Sequence, residues 1–373
     1  MLQYCNVITV GRNLTVWARR EGRLSKQTFS TKKLYHMEAQ TENKKRKLDM
    51  LKICTHSGSF HADEALAVYL LRSLKKWSNS TLIRSRDPAK WEEADIVVDV
   101  GGKHDDVKFF DHHQREFNTT FSDKYKTKLS SAGLVFKKFG REVIAEKLNW
   151  DLIEESSNID ILYEKLYKDF IESVDANDNG VSNYENTNER KFNDKNFTLA
   201  SVVSNLNPLW VDEPTDADFD KQFEKASEIM GQVFDNLLLS YGRSWLPAKQ
   251  FVEKAFDERF QAHPSGKVLV FDRFVPWKEH LYGVEIANKC HGEILYVLFP
   301  DSGNNWRIAA VPVSSSSFES RKALPEPWRG LRDEKLSEAA NVEGCVFIHA
   351  AGFIGGANSK EGVLKLAALA VDN

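Results

Sequence analysis

Three short apolar runs each close on histidine or aspartate, and this placement constrains the fold more than any other feature of the chain. Leu51-Lys52-Ile53-Cys54-Thr55 leads into a Gly-containing loop with His56 and His61, then into a helix-forming run that opens on the acids Asp63-Glu64. Ala94–Val100 carries Asp99 near its end, before Gly101-Gly102, and Val107–Phe110 ends at Asp111-His112-His113. The intervening segments have the length and composition of βαβ crossovers, so an α/β domain with a mainly parallel sheet is expected. Strand C-termini in such a sheet converge on one crevice, where side chains distant in sequence can meet.

Further helices are expected over Ser131–Phe139, Leu152–Val174, Leu199–Leu206 and Phe223–Leu239, the last placed to bridge two domains. The Asn-rich tract from Asn177 to Asn196 has loop composition. Beyond a basic helix around Lys249–Phe260 the period becomes strand-like, in Val268–Phe271, Ile294–Phe299, Trp306–Val311 and Cys345–His349. Asp301–Asn305 reads as a hairpin turn and Lys360–Val371 as a closing helix. The expected division is therefore an N-terminal segment 1–50, an α/β domain 51–240 and a smaller α+β domain 241–373.

Charge narrows the function classes. With 51 Lys and Arg against 54 Asp and Glu, the formal charge of −3 argues against passive coating of a polyanion, which would have to be held by local cations or by metal. No run approaches the ~20 apolar residues of a bilayer-spanning helix. Cys5, Cys54, Cys290 and Cys345 form no C-x-x-C pair, which argues against a disulfide framework and a thiolate zinc site and for a reducing compartment. Between Met1 and His36, seven basic residues face the single acid Glu21, the composition of a mitochondrial presequence, and Leu14–Arg20 could form an amphipathic turn. A disordered tail is the alternative. Met37 precedes the basic cluster Asn43–Lys47, so an alternative start could supply a second, nuclear or cytosolic form.

His56, His61, Asp63, Asp99, His112, His113 and Asp175 are residue types that hold divalent cations, and a cation pair can clamp both the attacking water and the leaving oxygen of a phosphoryl transfer. A bridging carboxylate is required, and Asp99, at a strand tip before two glycines, suits that task. Mixed oxygen and imidazole donors favour two Mn²⁺, with Mg²⁺ or Zn²⁺ as alternatives. No P-loop motif is present.

The Asp111-His112-His113 tripeptide, with Asp99 upstream and an N-terminal His/Asp loop, resembles the DHH phosphoesterase superfamily, which includes RecJ-type exonucleases, oligoribonucleases and manganese pyrophosphatases. Thr55–Ala65, Asp111–Gln114 and Val174–Gly180 are similar to the Myg (melanocyte proliferating gene) family, described as 3′–5′ RNA exonucleases of mitochondrion and nucleus. The resemblance implies that His56, Asp63, Asp99, His112 and Asp175 are metal ligands, with Asp99 bridging. It further implies that His113 contacts the scissile phosphate or orients the nucleophile, while Asp111 fixes a histidine tautomer. One departure is that His61 stands where the superfamily motif has an aspartate, which removes a negative charge.

In the C-terminal half, Gly352–Asn358 reads as a glycine-rich turn before a helix, able to hold a phosphate. The resemblance nominates His349, Gly355 and Gly356 there for substrate. Arg307, beside Trp306, is the preferred substrate cation among several Trp/cation neighbours of the kind a single-strand path requires. The expected protein is a metal-dependent phosphodiesterase that shortens single-stranded RNA from its 3′ end. A small-molecule phosphatase or pyrophosphatase, and a catalytically degenerate RNA-binding protein, are the alternatives.

Overall fold

The computed structural model describes residues 5–10, 13–20 and 23–30, of these the backbone, together with residues 50–182 and 193–373. Met37, the basic cluster Asn43–Lys47 and part of the Asn-rich tract lie outside the described residues. Strands β1 (Cys5–Val10), β2 (Asn13–Arg20) and β3 (Arg23–Ser30) pair as an antiparallel meander, so Leu14–Arg20 is extended backbone rather than a helical turn. Among the described residues no helix is long and apolar enough to cross a membrane.

Two compact units divide the chain, one of 1–146 and 167–231, the other of 147–166 and 232–373. The first unit is built on β4 (Lys52–Thr55), β5 (Thr81–Arg84), β6 (Ile96–Val98) and β7 (Phe109–Phe110), all parallel, in the order β5-β4-β6-β7. The α/β reading with a parallel sheet holds. Ile53, Cys54, Ile96, Val97, Val98 and Phe110 are almost wholly buried, as central parallel strands covered on both faces require. After β4 the chain steps to one side to form β5, then returns past β4 to form β6. That reversal opens a crevice at the C-terminal ends of β4 and β6, the switch point of an open α/β sheet.

The helices of this unit are α1 (Ala62–Arg72), α2 (Pro88–Glu93) and α3 (Ser131–Leu148), the last crossing into the second unit. Asp87 caps α2 by accepting from the Ala89 amide at 2.9 Å, with Pro88 at the first helical position. After α4 (Ser156–Leu166), a π-helical segment, Tyr167–Ile171, leads into α5 (Glu172–Asp178). Next come α6 (Leu199–Ser204) and α7 (Asp216–Ser240), within which the first unit ends at Gly231. Tyr69 of α1 lies where a side chain on Gly231 would be, so glycine allows the two helices to approach closely.

In the second unit, α8 (Leu246–Asp257), α9 (Arg259–Ala262), α10 (Lys278–Ala287), α11 (Asp333–Ala340) and α12 (Lys360–Asp372) surround a five-stranded sheet. Its strands are β8 (Val268–Val270), β9 (Tyr296–Pro300), β10 (Trp306–Ala310), β11 (Cys345–Ile348) and β12 (Ile354–Ala357), in the order β11-β12-β10-β9-β8. Only β8 and β9 pair parallel. One core packs Leu298, Ile308 and Ala357 with Val363 and Leu366 of α12. Another packs Leu269, Val297 and Phe299 with α8 and α10. Glu285 of α10 is fully buried and takes both guanidinium nitrogens of Arg321, at 2.6 and 2.7 Å, while accepting from the Ile294 amide.

Lys147–Leu166, which the sequence reading placed in the first domain, packs with this second unit instead. Lys147 Nζ meets Asp235 at 2.7 Å and Lys165 Nζ meets Glu279 at 2.7 Å, while Leu148 and Leu162 close over Gly242. A second correction concerns Gly355 and Gly356. They are not in a turn but in β12, between β11 and β10, opposite Ile308 and Arg307. A Cβ on Gly356 would lie 2.6 Å from the Trp306 carbonyl and 2.7 Å from Arg307 Nη1, so glycine is needed there for close approach rather than for a turn.

Candidate metal centre

The ends of β4, β6 and β7 and the first turn of α1 supply the crevice with its side chains. His56 follows β4 directly and is buried, with Nε2 3.1 Å from Glu64 Oε1 and 3.4 Å from Asp99 Oδ2. Its Nδ1 lies 3.2 Å from the Ser57 carbonyl, which fixes the ring with Nε2 toward the acids. Asp99 stands just past β6 with φ +58°, a left-handed conformation that aspartate tolerates better than most residues. Its amide donates to the Phe110 carbonyl at 3.1 Å, and its Oδ1 accepts from the Ser131 hydroxyl at 2.9 Å. Asp99 Oδ1 is also 3.5 Å from His112 Nε2 and 3.6 Å from His113 Nδ1.

Asp111, buried at the end of β7, accepts from the Gly102 amide at 2.6 Å and from the His113 amide and ring Nδ1 at 3.1 and 2.7 Å. It therefore anchors the glycine turn after Asp99 and orients His113, whose side chain is largely exposed. His61, just before α1, faces solvent while Asp63 in its first turn is buried, and neither carboxylate oxygen of Asp63 has a hydrogen-bond partner among the described residues. The Glu64 carboxylate reaches back to accept the His61 amide at 2.9 Å, which is one half of a capping box.

Asp175 is a correction. Its Oδ1 accepts from the Ser130 amide and hydroxyl at 2.9 and 2.7 Å and from the Gly133 amide at 3.1 Å, while Oδ2 takes the Tyr167 hydroxyl at 3.0 Å. A carboxylate so occupied pins α5 to the start of α3 and belongs to none of the metal-ligating groups. Gly133 is required there, since a Cβ would collide with both Asp175 oxygens. Asp178, almost one turn later, points its Oδ2 at His112 Nε2 from 2.9 Å.

Three groups of potential ligand atoms, each within 4.8 Å of one another, result: His56, His61, Glu64 and Asp99; Asp99, His112 and His113; His61, Asp63 and Asp178. Asp99 and His61 each belong to two of the three. All of these ligand candidates except Glu64 line a pocket of about 580 Å³, and the exposed Arg86 lines it too. Glu64, Asp178 and Arg86 were not nominated from sequence. Glu64 could have been found from its position three residues after His61, and Asp178 from its repeat of Asp175 at helical spacing. Arg86 follows β5, a strand that the apolar runs did not reveal.

The electrostatics follow from crowding carboxylates around two buried imidazoles, those of His56 and His112. Burial opposes charge on His56, but hydrogen bonds to Asp99 and Glu64 push it up to about 10. Burial likewise opposes charge on His112, and Asp178 and Asp99 push it up to about 10. Burial would raise Asp99, yet His112 and His56 hold it well below the usual carboxylate range. Asp63 is driven well above that range by burial and then by the charges of Asp99 and Asp178. A buried carboxylate with two unpartnered oxygens beside like charges is what a cation would relieve, so the residues fit divalent metal.

Arg307, His349, Gly355 and Gly356 lie in the second unit. Arg307 pairs with Asp301 across the β9–β10 hairpin and stacks 5.1 Å over Phe347, and its Nη1 has no hydrogen-bond partner among the described residues. His349 is exposed just past β11, its ring 4.5 Å from that of Phe353.

A family model, MYG1_exonuc, described as an uncharacterised protein family (UPF0160), matches residues 52–371. The chain is 53% identical over 323 residues to a MYG1 protein of Saccharomyces cerevisiae, covering 86% of this chain and 95% of that one. It is 44% identical over 323 residues to MYG1 exonuclease of Homo sapiens, covering 85% and 84%. Among solved structures, the crystal structure of exonuclease RecJ bound to manganese aligns over 86% of this chain and 90% of that chain, at 12% identity and a TM-score of 0.22. The family match runs through every element that supplies a candidate ligand, and the chain belongs to the MYG1_exonuc family.

Proposed function

We propose that this chain is a divalent-metal-dependent phosphodiesterase that removes nucleotides from the 3′ end of single-stranded RNA. The observation that carries the reading is the sharing of Asp99 and His61 among three ligand groups at the switch point of a parallel sheet. The name MYG1 exonuclease, borne by mammalian relatives, supports it. Divalent cations there, two Mn²⁺ being favoured by the mixed donors, would polarise a phosphoryl oxygen and lower the pKa of bound water.

The chain's own residues hold and orient. His56, His61, Asp63, Glu64, Asp99, His112 and Asp178 are the holders, and Ser131 fixes the Asp99 carboxylate through its hydroxyl. Asp111 ties up His113 Nδ1 and leaves Nε2 for a phosphate oxygen. Arg86 brings a guanidinium to the pocket edge, where a phosphodiester's charge would be met. In the second unit, Arg307 and His349 are the proposed RNA contacts.

The test is a time course on 5′-labelled single-stranded RNA with Mn²⁺, using wild type, Asp99→Ala and His112→Ala, with pyrophosphate as a second substrate. A ladder shortening from the 3′ end, lost in both variants, is expected. Intact RNA with rapid pyrophosphate hydrolysis would replace this reading by a small-molecule hydrolase.

A further inference from the structure

A second cavity, of about 560 Å³, adjoins the metal centre in the first unit. The two share Ala62, Val174 and Asn177 as a common rim, so a group held at the metal ligands has this cavity as its neighbour. Phe170 and Met230 are buried in its wall, with Leu199 beside them, and Thr198 adds a hydroxyl. The lining also carries Asp169, Asp194 and Lys195, and such a mixed wall suits a nucleoside, whose ring is apolar on its faces while its edges and sugar hydroxyls form hydrogen bonds. Asn177, next in sequence to Asp178, offers both donor and acceptor at the rim and so can meet either pattern of base edge.

We propose that this cavity receives the base and ribose of the terminal nucleotide, with its 5′-phosphate at the metal centre. The proposal rests on the exonuclease reading and specifies its product. Water adds to phosphorus, the P–O3′ bond breaks, the 3′ oxygen leaves with the bonding pair and takes a proton, and a nucleoside 5′-monophosphate is released. The volume exceeds what one nucleoside fills, so purines and pyrimidines both fit and cleavage should show little sequence preference.

The experiment is calorimetric titration of the full chain with Mn²⁺, using adenosine 5′-monophosphate and ribose 5-phosphate as probes. Wild type is expected to bind the nucleotide roughly tenfold more tightly than the base-free sugar phosphate. Ala200→Trp, which fills the cavity from α6, should erase that preference, and Leu199→Ala, which removes wall contacts, should reduce it. Equal binding of both probes by wild type, or an unchanged ratio in both variants, would overturn the proposal. RNA shortening by wild type is scored separately. Shortening without a nucleotide preference sinks the cavity and spares the exonuclease reading, whereas a preference that Ala200→Trp erases, without shortening, leaves a nucleotide site and sinks the exonuclease.

Discussion

Asp178 Oδ2 lies 2.9 Å from His112 Nε2, and no comparable contact joins Asp175 to any candidate ligand. Asp178→Asn should therefore weaken Mn²⁺ binding by more than roughly tenfold, while Asp175→Asn should change it by less than about threefold. Asparagine at 175 keeps one acceptor oxygen for Ser130 and Gly133 and turns its amide toward the Tyr167 hydroxyl. Equilibrium dialysis against Mn²⁺ decides, and equal losses would return Asp175 to the ligand set.

The same substitution carries a signature in stability. Burial pushes the Asp175 carboxyl up to about 7, above the ordinary value it regains on unfolding. The folded state then binds the proton more tightly, so this group removes stability as pH rises from about 4 to about 7 and adds no further slope above. Asp175→Asn lacks that slope. Its urea midpoint should gain on wild type between pH 4.5 and 7.5, and parallel profiles would disprove the assignment.

Metal loading should release protons. With His56 and His112 both near 10 in the metal-free protein, each is cationic at neutral pH and must lose its proton to become a ligand. Apparent affinity should rise with pH up to about 10, with at least about two protons released near pH 7.5, the raised Asp63 carboxyl adding to the two imidazoles. The sign for folding is opposite. Both groups are raised above their unfolded value of about 6.5, so their contribution is full below that pH and lost as pH rises toward 10. Calorimetry in buffers of different ionisation enthalpy counts the protons.

Arg86 should act on binding more than on turnover. It is exposed, its Nε donates to the Ser57 carbonyl at 3.3 Å, and its Nη2 lies 3.2 Å from His56 Nδ1. Arg86→Ala should raise KM for RNA roughly tenfold with kcat within about threefold, and Arg86→Lys should recover part of the loss. A kcat collapse at unchanged KM would contradict a phosphate-binding role.

In the second unit, Glu285→Ala would leave Arg321 buried without its partner and the Ile294 amide without its acceptor. Loss of about 3–5 kcal/mol is expected, read from denaturant unfolding. Replacing both members with apolar residues of similar volume should cost much less.

What the sequence made legible was the chemistry at strand ends. β4, β6 and β7 are runs whose side chains are buried on both faces, and their terminal His and Asp residues fall where a parallel sheet must gather them. β5 escaped because Thr81–Arg84 is an edge strand, exposed at its start and only half-buried beyond, so no apolar run betrays it, and Arg86 was lost with it. Gly355 and Gly356 carry the composition of a turn, yet their reason lies in the neighbouring strands, in Ile348 and the Phe347 carbonyl for Gly355 and in the Trp306 carbonyl and the Arg307 side chain for Gly356. The choice between Asp175 and Asp178 was hidden for another reason. Both occupy one short helix, and which of them faces His112 depends on how the chain enters it.

That entry is the π-helical segment Tyr167–Ile171, where the backbone closes over five residues instead of four. Each residue of the helix that follows turns about 100° from the last. Deleting one position in the segment would keep every candidate ligand in the sequence while swinging Asp178 about 100° away from His112. The centre is thus encoded as an angle as well as an inventory, and chains that share all its residues but not this wide turn would not share its chemistry.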